Sequence, residues 1–283
     1  MNIAGVLRAE AFSPNNIGND AAILNAVADR LRDRGYAVNI YTEEQFLSQE
    51  IEEKIILNMC RGHETVRKLK NLQDGGRLVI NSAYGIENCA RERMTKILLG
   101  NGIPYPESLI VNTGDDVSGE LAKHGLRKVW IKRGDSHAVE KEDVSFCCNP
   151  EEVRNVLDGF CRRGIGSAVI NRHLEGDLIK FYGVRGQDWF YWFYPSDEGH
   201  SKYGHEAVNG RSRGFRFDPD SLKTICQSAS GILDVKIFGG DCIVDAVGKI
   251  RIIDFNDWPS FAPCRSEAAS HIAECVWQSI ETI

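Results

Sequence analysis

The residues best suited to chemistry lie in the last third of the chain. The run Gly239-Gly240-Asp241-Cys242-Ile243-Val244-Asp245-Ala246-Val247-Gly248-Lys249-Ile250-Arg251-Ile252-Ile253-Asp254-Phe255-Asn256-Asp257-Trp258-Pro259 reads as two apolar strands folded back near Val247-Gly248. With a two-residue loop, Ala246 pairs with Lys249 and Asp241 lies opposite Asp254. Asp254 and Asn256 are two apart and share one face of their strand. Three hard oxygen donors then converge, a set that suits Mg²⁺ with waters and phosphate oxygens completing the octahedron. A bulge at Gly248 shifts the register by one residue and turns the side chains to the other face. The Asn256-Asp257-x-Pro259 sequence also suits an ordinary turn. Both questions stay open at this point.

Two further segments carry charge where a nucleotide would need it. Val129-Trp130-Ile131-Lys132 is a strand ending in Lys, followed by Arg133-Gly134-Asp135-Ser136-His137. A Lys at a strand end can neutralise phosphate oxygens, and a Gly-containing loop can offer backbone N–H groups to an anion. Val169-Ile170-Asn171-Arg172-His173-Leu174 is an apolar strand running into Glu175-Gly176-Asp177, and a second strand carries Lys180. An adenine could lie along the first strand, with Glu175 or Asp177 meeting ribose hydroxyls. Taken singly, each of these residues reads equally well as solvated surface.

Other signals point nowhere. There is no G-x-G-x-x-G and no G-x-x-x-x-G-K-[ST]. Gly210-Arg211-Ser212-Arg213-Gly214 matches the nucleophile-elbow pattern, but the neighbouring residues supply neither the strand before it nor the helix after it. His200 and His205, five apart in a Gly-rich loop, are weak metal candidates. Nine scattered Cys without a C-x-x-C read as reduced thiols in a cytoplasmic protein.

The elements that must position these residues alternate in type. Residues 3–7, 37–41, 54–58 and 78–81 read as short strands, with helices at 19–34 and 63–72, which implies a small parallel sheet. A helix over 87–99 leads into Gly100-Asn101-Gly102-Ile103-Pro104-Tyr105-Pro106, a hinge. An α+β module follows, and the last third is rich in strands. The units expected are 1–85, a linker over 86–106, 107–168 and 169–283. The net charge of −6 argues against a nucleic-acid partner. No apolar run approaches the roughly 18 residues of a membrane span, and no secretory leader is visible. Residues 199–217 carry a local surplus of positive charge, which suits a small anionic substrate.

In this order these segments resemble the ATP-grasp superfamily over nearly the whole chain. The resemblance rests on Thr95-Lys96-Ile97-Leu98-Leu99, Gly102-Ile103-Pro104-x-Pro106, Lys132, Glu175-Gly176-Asp177 with Lys180, and Asp241 with Asp254-Phe255-Asn256-x-x-Pro259. It implies an α/β and α+β architecture: an N-terminal parallel-sheet domain, a lid, and a C-terminal antiparallel sheet. It also implies ATP and Mg²⁺. Lys96 and Lys132 would contact phosphates, with His137 in the adjoining loop. Ile170, Arg172, His173 and Leu174 would form the adenine hinge, Glu175, Asp177 and Lys180 would border the nucleotide, and Asp241, Asp254 and Asn256 would hold the metal. The activity expected is carboxylate–amine ligation through an acyl phosphate, resembling RimK-type and D-alanine–D-alanine-type ligases. Arg185, Arg211 and Arg213 are the candidates to stabilise the intermediate, with His173, His200 and Lys202 behind them. The Ser136-His137 loop and Lys180 are also similar to inositol-polyphosphate kinases of the superfamily. Small-molecule kinase activity, or nucleotide binding without catalysis, are the alternatives.

Overall fold

The computed structural model describes residues 1–13, 17–195 and 208–282. Three four-stranded sheets organise them. The first contains β1 (Asn2–Val6), β2 (Ala37–Tyr41), β3 (Ile55–Asn58) and β4 (Leu78–Ile80), all parallel, in the order β2-β1-β3-β4. Helix α1 (Ile17–Asp33) buries Ile23, Leu24, Val27, Ala28 and Leu31, the 3–4 spacing that marks one apolar face. A short helix α2 (Glu43–Ser48), absent from the sequence reading, starts at a capping box between Thr42 and Gln45. Helix α3 (His63–Asp74) follows β3.

The linker expected as one helix is two, α4 (Ala83–Asn88) and α5 (Arg91–Gly100). They are separated at Ala90, whose ψ of 133° is extended. The second sheet holds β5 (Ser108–Asn112), β6 (Val129–Arg133), β7 (Val144–Cys147) and β8 (Ser167–Arg172), antiparallel in the order β5-β8-β6-β7. Helices α6 (Ser118–Lys123) and α7 (Pro150–Arg162) cover its apolar face. Residues 169–172, expected with the third unit, hydrogen-bond into this sheet through β8.

The third sheet comprises β9 (Asp177–Val184), β10 (Phe190–Phe193), β11 (Ile237–Val244) and β12 (Ile250–Asp257), in the order β10-β9-β11-β12. One face is apolar. Ile179, Phe181, Phe238 and Phe255 pack there with Met94 and Leu98 of α5 and with Leu222 and Leu233 of α8 (Pro219–Leu233). The C-terminal helix α9 (Arg265–Glu281) shares a core with α1, so the first and third units are packed together. Asn81 reinforces this joint like a strand residue: its amide donates to Ile237 O at 2.7 Å and accepts from the backbone N–H of Lys236 and Ile237. All nine Cys are free thiols, seven of them buried.

Candidate active site

The second face of the third sheet carries the polar residues of interest. Strand pairing aligns them in three successive rungs. Leu178 lies opposite Ile243; Lys180 lies opposite Asp241, which lies opposite Asp254; Tyr182 lies opposite Gly239, which lies opposite Asn256. Alternation places all three rungs on one face. The Asp241–Asp254 pairing is the one expected from a two-residue loop, yet the turn is longer. Val244 faces Ile250, and Gly248 takes a φ of 81° that favours glycine. The register is thus displaced by one at the turn. It is restored between Asp241 and Cys242, where Ile253 is the extra residue of a bulge. Two displacements cancel, and the oxygens end on the same face. Gly239 permits the close packing of the third rung, because a Cβ there would stand 2.6 Å from the Tyr182 ring and 2.8 Å from Pro259.

The second sheet forms the opposing wall. Trp130 and Lys132 are two apart on β6, with Ile131 turned into the core behind them. Between the two sheets lies a cavity of about 250 Å³. Trp130, Val144, Leu174, Leu178 and Ile243 give it an apolar part, and Arg91, Lys132, Lys180, Asp241, Asp254 and Asn256 a charged one. Lys180 Nζ lies 2.9 Å from Asp241 Oδ1, and Lys132 Nζ donates to the bulge carbonyl of Ile253 at 2.6 Å. Burial pushes the Lys132 ammonium down to about 8, with Arg91 adding to the effect and Asp254 opposing it. Burial alone would raise the Asp254 carboxyl; Arg91, Lys132, His137 and Lys180 outweigh it and hold that carboxyl well below the usual range. Arg91 Nη2 stands 3.6 Å from Asp254 Oδ2.

The donor set fits a hard divalent cation. Asp254 Oδ1 is buried without a hydrogen-bond partner, and Asp241 and Asn256 flank it on the same face. Among the described residues no three His, Cys, Asp or Glu side chains gather as a metal site; the third oxygen here is the Asn256 amide.

The structure brings together Lys132, His137, Arg172, Leu174, Lys180, Asp241, Asp254 and Asn256, all of which line this cavity. Arg172 does so with its guanidinium tied to Glu107 at 2.6 Å. The remaining expected residues lie elsewhere. Lys96 projects from the outer face of α5 and pairs with Glu92 at 2.6 Å, because the buried face of that helix is Arg91, Met94, Thr95 and Leu98. Ile170 is fully buried in the core of the second sheet. His173 Nδ1 accepts from Trp130 Nε1 at 3.1 Å, so it braces a wall residue from the side. Glu175 is exposed and outside the lining. Asp177 is buried, and its two oxygens accept from the backbone N–H of Arg213 and Phe215, which pins the loop. Arg185 caps the C-terminal carbonyls of α8 at Ser230 and Gly231. Arg211 and Arg213 are absent from the lining, although Asn209 of the same loop reaches it. His200, Lys202 and His205 lie outside the described residues.

Sequence reasoning passed over three charged residues. Arg91 is reachable from helical spacing, since it sits three residues before Met94 and seven before Leu98. Arg61 follows the carboxyl end of β3, where an open parallel sheet presents its loops. Its Nη2 donates to Asp257 Oδ1 at 3.0 Å and to the Asp257 carbonyl at 3.1 Å. Asp257 is buried, and His137 Nε2 lies 3.1 Å from the same Oδ1. Burial would raise the Asp257 carboxyl, but Arg61 and His137 hold it well below the usual range. Burial, together with Arg61, pushes the His137 imidazole down to about 4.

No protein-family model and no curated protein matches the chain. Solved structures do. D-alanine–D-alanine ligase from Bacillus anthracis complexed with ATP superposes with a TM-score of 0.69 over 100% of this chain and 99% of that one, at 13% identity. D-alanyl-alanine synthetase A from Vibrio cholerae O1 gives 0.68 over 98% of each chain, at 9% identity. The chain has the ATP-grasp fold. A RimK domain ATP-grasp protein from Sphaerobacter thermophilus agrees, with a TM-score of 0.66 over 97% of this chain and 99% of that one, at 13% identity. The ATP-grasp layout is the one already described, two antiparallel sheets facing across a cavity behind a parallel-sheet domain.

Proposed function

We propose that the chain is an ATP- and Mg²⁺-dependent carboxylate–amine ligase acting on a small anionic substrate. The observation that carries this is the cavity between the second and third sheets, apolar in one part and charged in the other. A nucleotide base suits the part with Trp130, Val144, Leu178 and Ile243, and a polyphosphate suits the part with Arg91, Lys132 and Lys180. One of the structures sharing the fold is a ligase complexed with ATP, and it spans this chain end to end.

The residues divide the work by position. Lys132 and Lys180 extend from facing sheets and neutralise phosphate charge from two sides. Arg91, buried beside Asp254, adds a third cation where charge moves between substrate and nucleotide. Asp241, Asp254 and Asn256 would hold Mg²⁺, which supplies charge neutralisation at phosphate oxygens. Trp130, braced by His173, and Leu174 would exclude water from the base. In the overall reaction the carboxylate oxygen attacks the γ-phosphorus and ADP leaves; the amine then attacks the acyl carbon and phosphate leaves. Such a sequence depends mainly on positioning and electrostatics.

Isotope transfer tests this reading. A ligase moves ¹⁸O from the substrate carboxylate into the released phosphate. A stable phosphorylated product with no ¹⁸O in phosphate would make the chain a kinase. Binding of Mg-ATP with no turnover against acids, amines and polyols would make it a nucleotide-binding protein without catalysis.

A further inference from the structure

A second cavity of about 300 Å³ adjoins the first. Arg61, His137 and Ala138 line both, so occupants of the two would meet across that shared wall. Its location follows from the order of the first sheet. The chain crosses from β2 over β1 to β3, so successive connections leave the sheet in opposite directions from the β1–β3 boundary. Open sheets with parallel strands receive ligands at such a boundary, outside the carboxyl ends of the strands. Ala11 and Phe12 follow β1, Arg61 and His63 follow β3, and all four line this cavity.

The lining states what kind of molecule fits. Phe12, Val66, Ile86 and Val139 contribute apolar surface. The acidic residues are engaged by neighbouring cations: Asp135 is bound by Arg133 through two oxygens, at 2.8 and 3.0 Å, and Glu87 is paired with Lys70 and Arg93. At the shared wall Arg61 and His137 both face the Asp257 carboxylate, at 3.0 and 3.1 Å, but each keeps a further nitrogen in reserve. Arg61 Nε and His137 Nδ1 are buried with no hydrogen-bond partner. Spare polar capacity therefore sits at the end nearest the nucleotide cavity, and apolar surface lies beyond it.

Resting on the ligase reading, we propose that this second cavity receives the carboxylic-acid substrate as an acid with an apolar body, its carboxylate held by Arg61 and His137 at the shared wall. That orientation turns the carboxylate toward Arg91 and Lys132, where phosphoryl transfer would take place. It also refines the expectation of a small anionic substrate: the charge is confined to one end.

Calorimetric titration tests the assignment, with Mg²⁺ and the non-hydrolysable analogue AMP-PNP held saturating. The probes are isovalerate, leucine, 3-phenylpropionate and phenylalanine, set against acetate, glycine and succinate. At least one of the first four binds about tenfold or more tightly than every one of the last three. Ala11→Trp, at an exposed position on the rim, weakens that acid at least tenfold and leaves AMP-PNP affinity within twofold. Arg61→Met weakens the same acid, and Arg61→Lys recovers part of the loss. Absence of any apolar preference overturns the apolar assignment while the nucleotide site stands. Unchanged acid affinity in Ala11→Trp overturns the choice of cavity. Failure of the unmodified protein to bind Mg-AMP-PNP overturns the ligase reading itself, and this inference with it.

Discussion

The two cavities are built by different means. The first is walled by facing strands, and its chemistry is fixed by ladders: three rungs on β9, β11 and β12, and Trp130 and Lys132 two apart on β6. The second is walled largely by residues just beyond strand ends and at helix starts, such as Ala11, Phe12, Arg61, His63 and Ala90. Strand alternation turns sequence spacing into spatial adjacency, so the first kind of site can be read from one hairpin and one strand. Loop geometry offers no such rule, and the second kind becomes visible only when the sheet order is known.

The largest effect that would sharpen this contrast belongs to Lys132. Replacing it with Met leaves the β6 ladder intact and removes a buried cation from the charged part of the first cavity. Turnover with ATP falls by about 10²–10³-fold, the size expected for losing one preorganised charge partner, and steady-state kinetics measures it. A variant retaining full rate would detach the ladder-built cavity from the chemistry.

Asp257 tests the seam between the cavities. It is buried with Arg61 and His137, so Asp257→Asn costs about 3 kcal/mol at neutral pH, as breaking a buried ion pair does. The sign of the pH dependence follows from its depressed carboxyl. The contribution is fully present above the ordinary carboxylate value of 3.8 and fades as pH falls through the lower folded value. The stability gap between Asp257→Asn and the unmodified protein therefore narrows below about pH 4 in denaturant unfolding. A gap that stays constant on acidification through the folded value would place the Arg61 contact outside the energetics of the seam.

The smallest effects belong to charges that the sequence alone brings forward. Lys96→Ala removes an exposed i,i+4 pair with Glu92 and costs no more than about 0.5 kcal/mol, with turnover within twofold. Arg185→Ala removes a cap from α8 and likewise leaves turnover within twofold. A hundredfold loss of turnover in either variant would return that residue to the site.

These contrasts show how much is legible in the sequence and why. Asp241 and Asp254 pair as the short-loop reading expects because a displacement at the turn and a bulge at Ile253 cancel, which no local signal announces. Lys132 and Lys180 are reached from strand ends and alternation. Lys96 outranks Arg91 only when charge type is weighed ahead of helix phase, although Met94 and Leu98 already mark the buried face. Asp177 has the character of a ligand-binding carboxylate in sequence, and in three dimensions spends both oxygens on the loop at Arg213 and Phe215. Hydrogen bonds between residues 36 and 38 positions apart depend on the tertiary fold and leave no periodic trace. The fold is readable further than the site, since its strand and helix periods are local. The exceptions are α2, the break at Ala90, and the membership of β8 in the second sheet.

The central claim is that the rung of Lys180, Asp241 and Asp254 is where Mg-ATP is held. Asp254→Ala removes the one carboxylate of that rung with a buried, unpartnered oxygen and leaves the strand pairing in place. Titration of Mg-ATP into this variant and into the unmodified protein tests the claim directly. A loss of affinity of about tenfold or more, with unchanged far-UV circular dichroism, is the predicted result; equal affinity in the two proteins would contradict it.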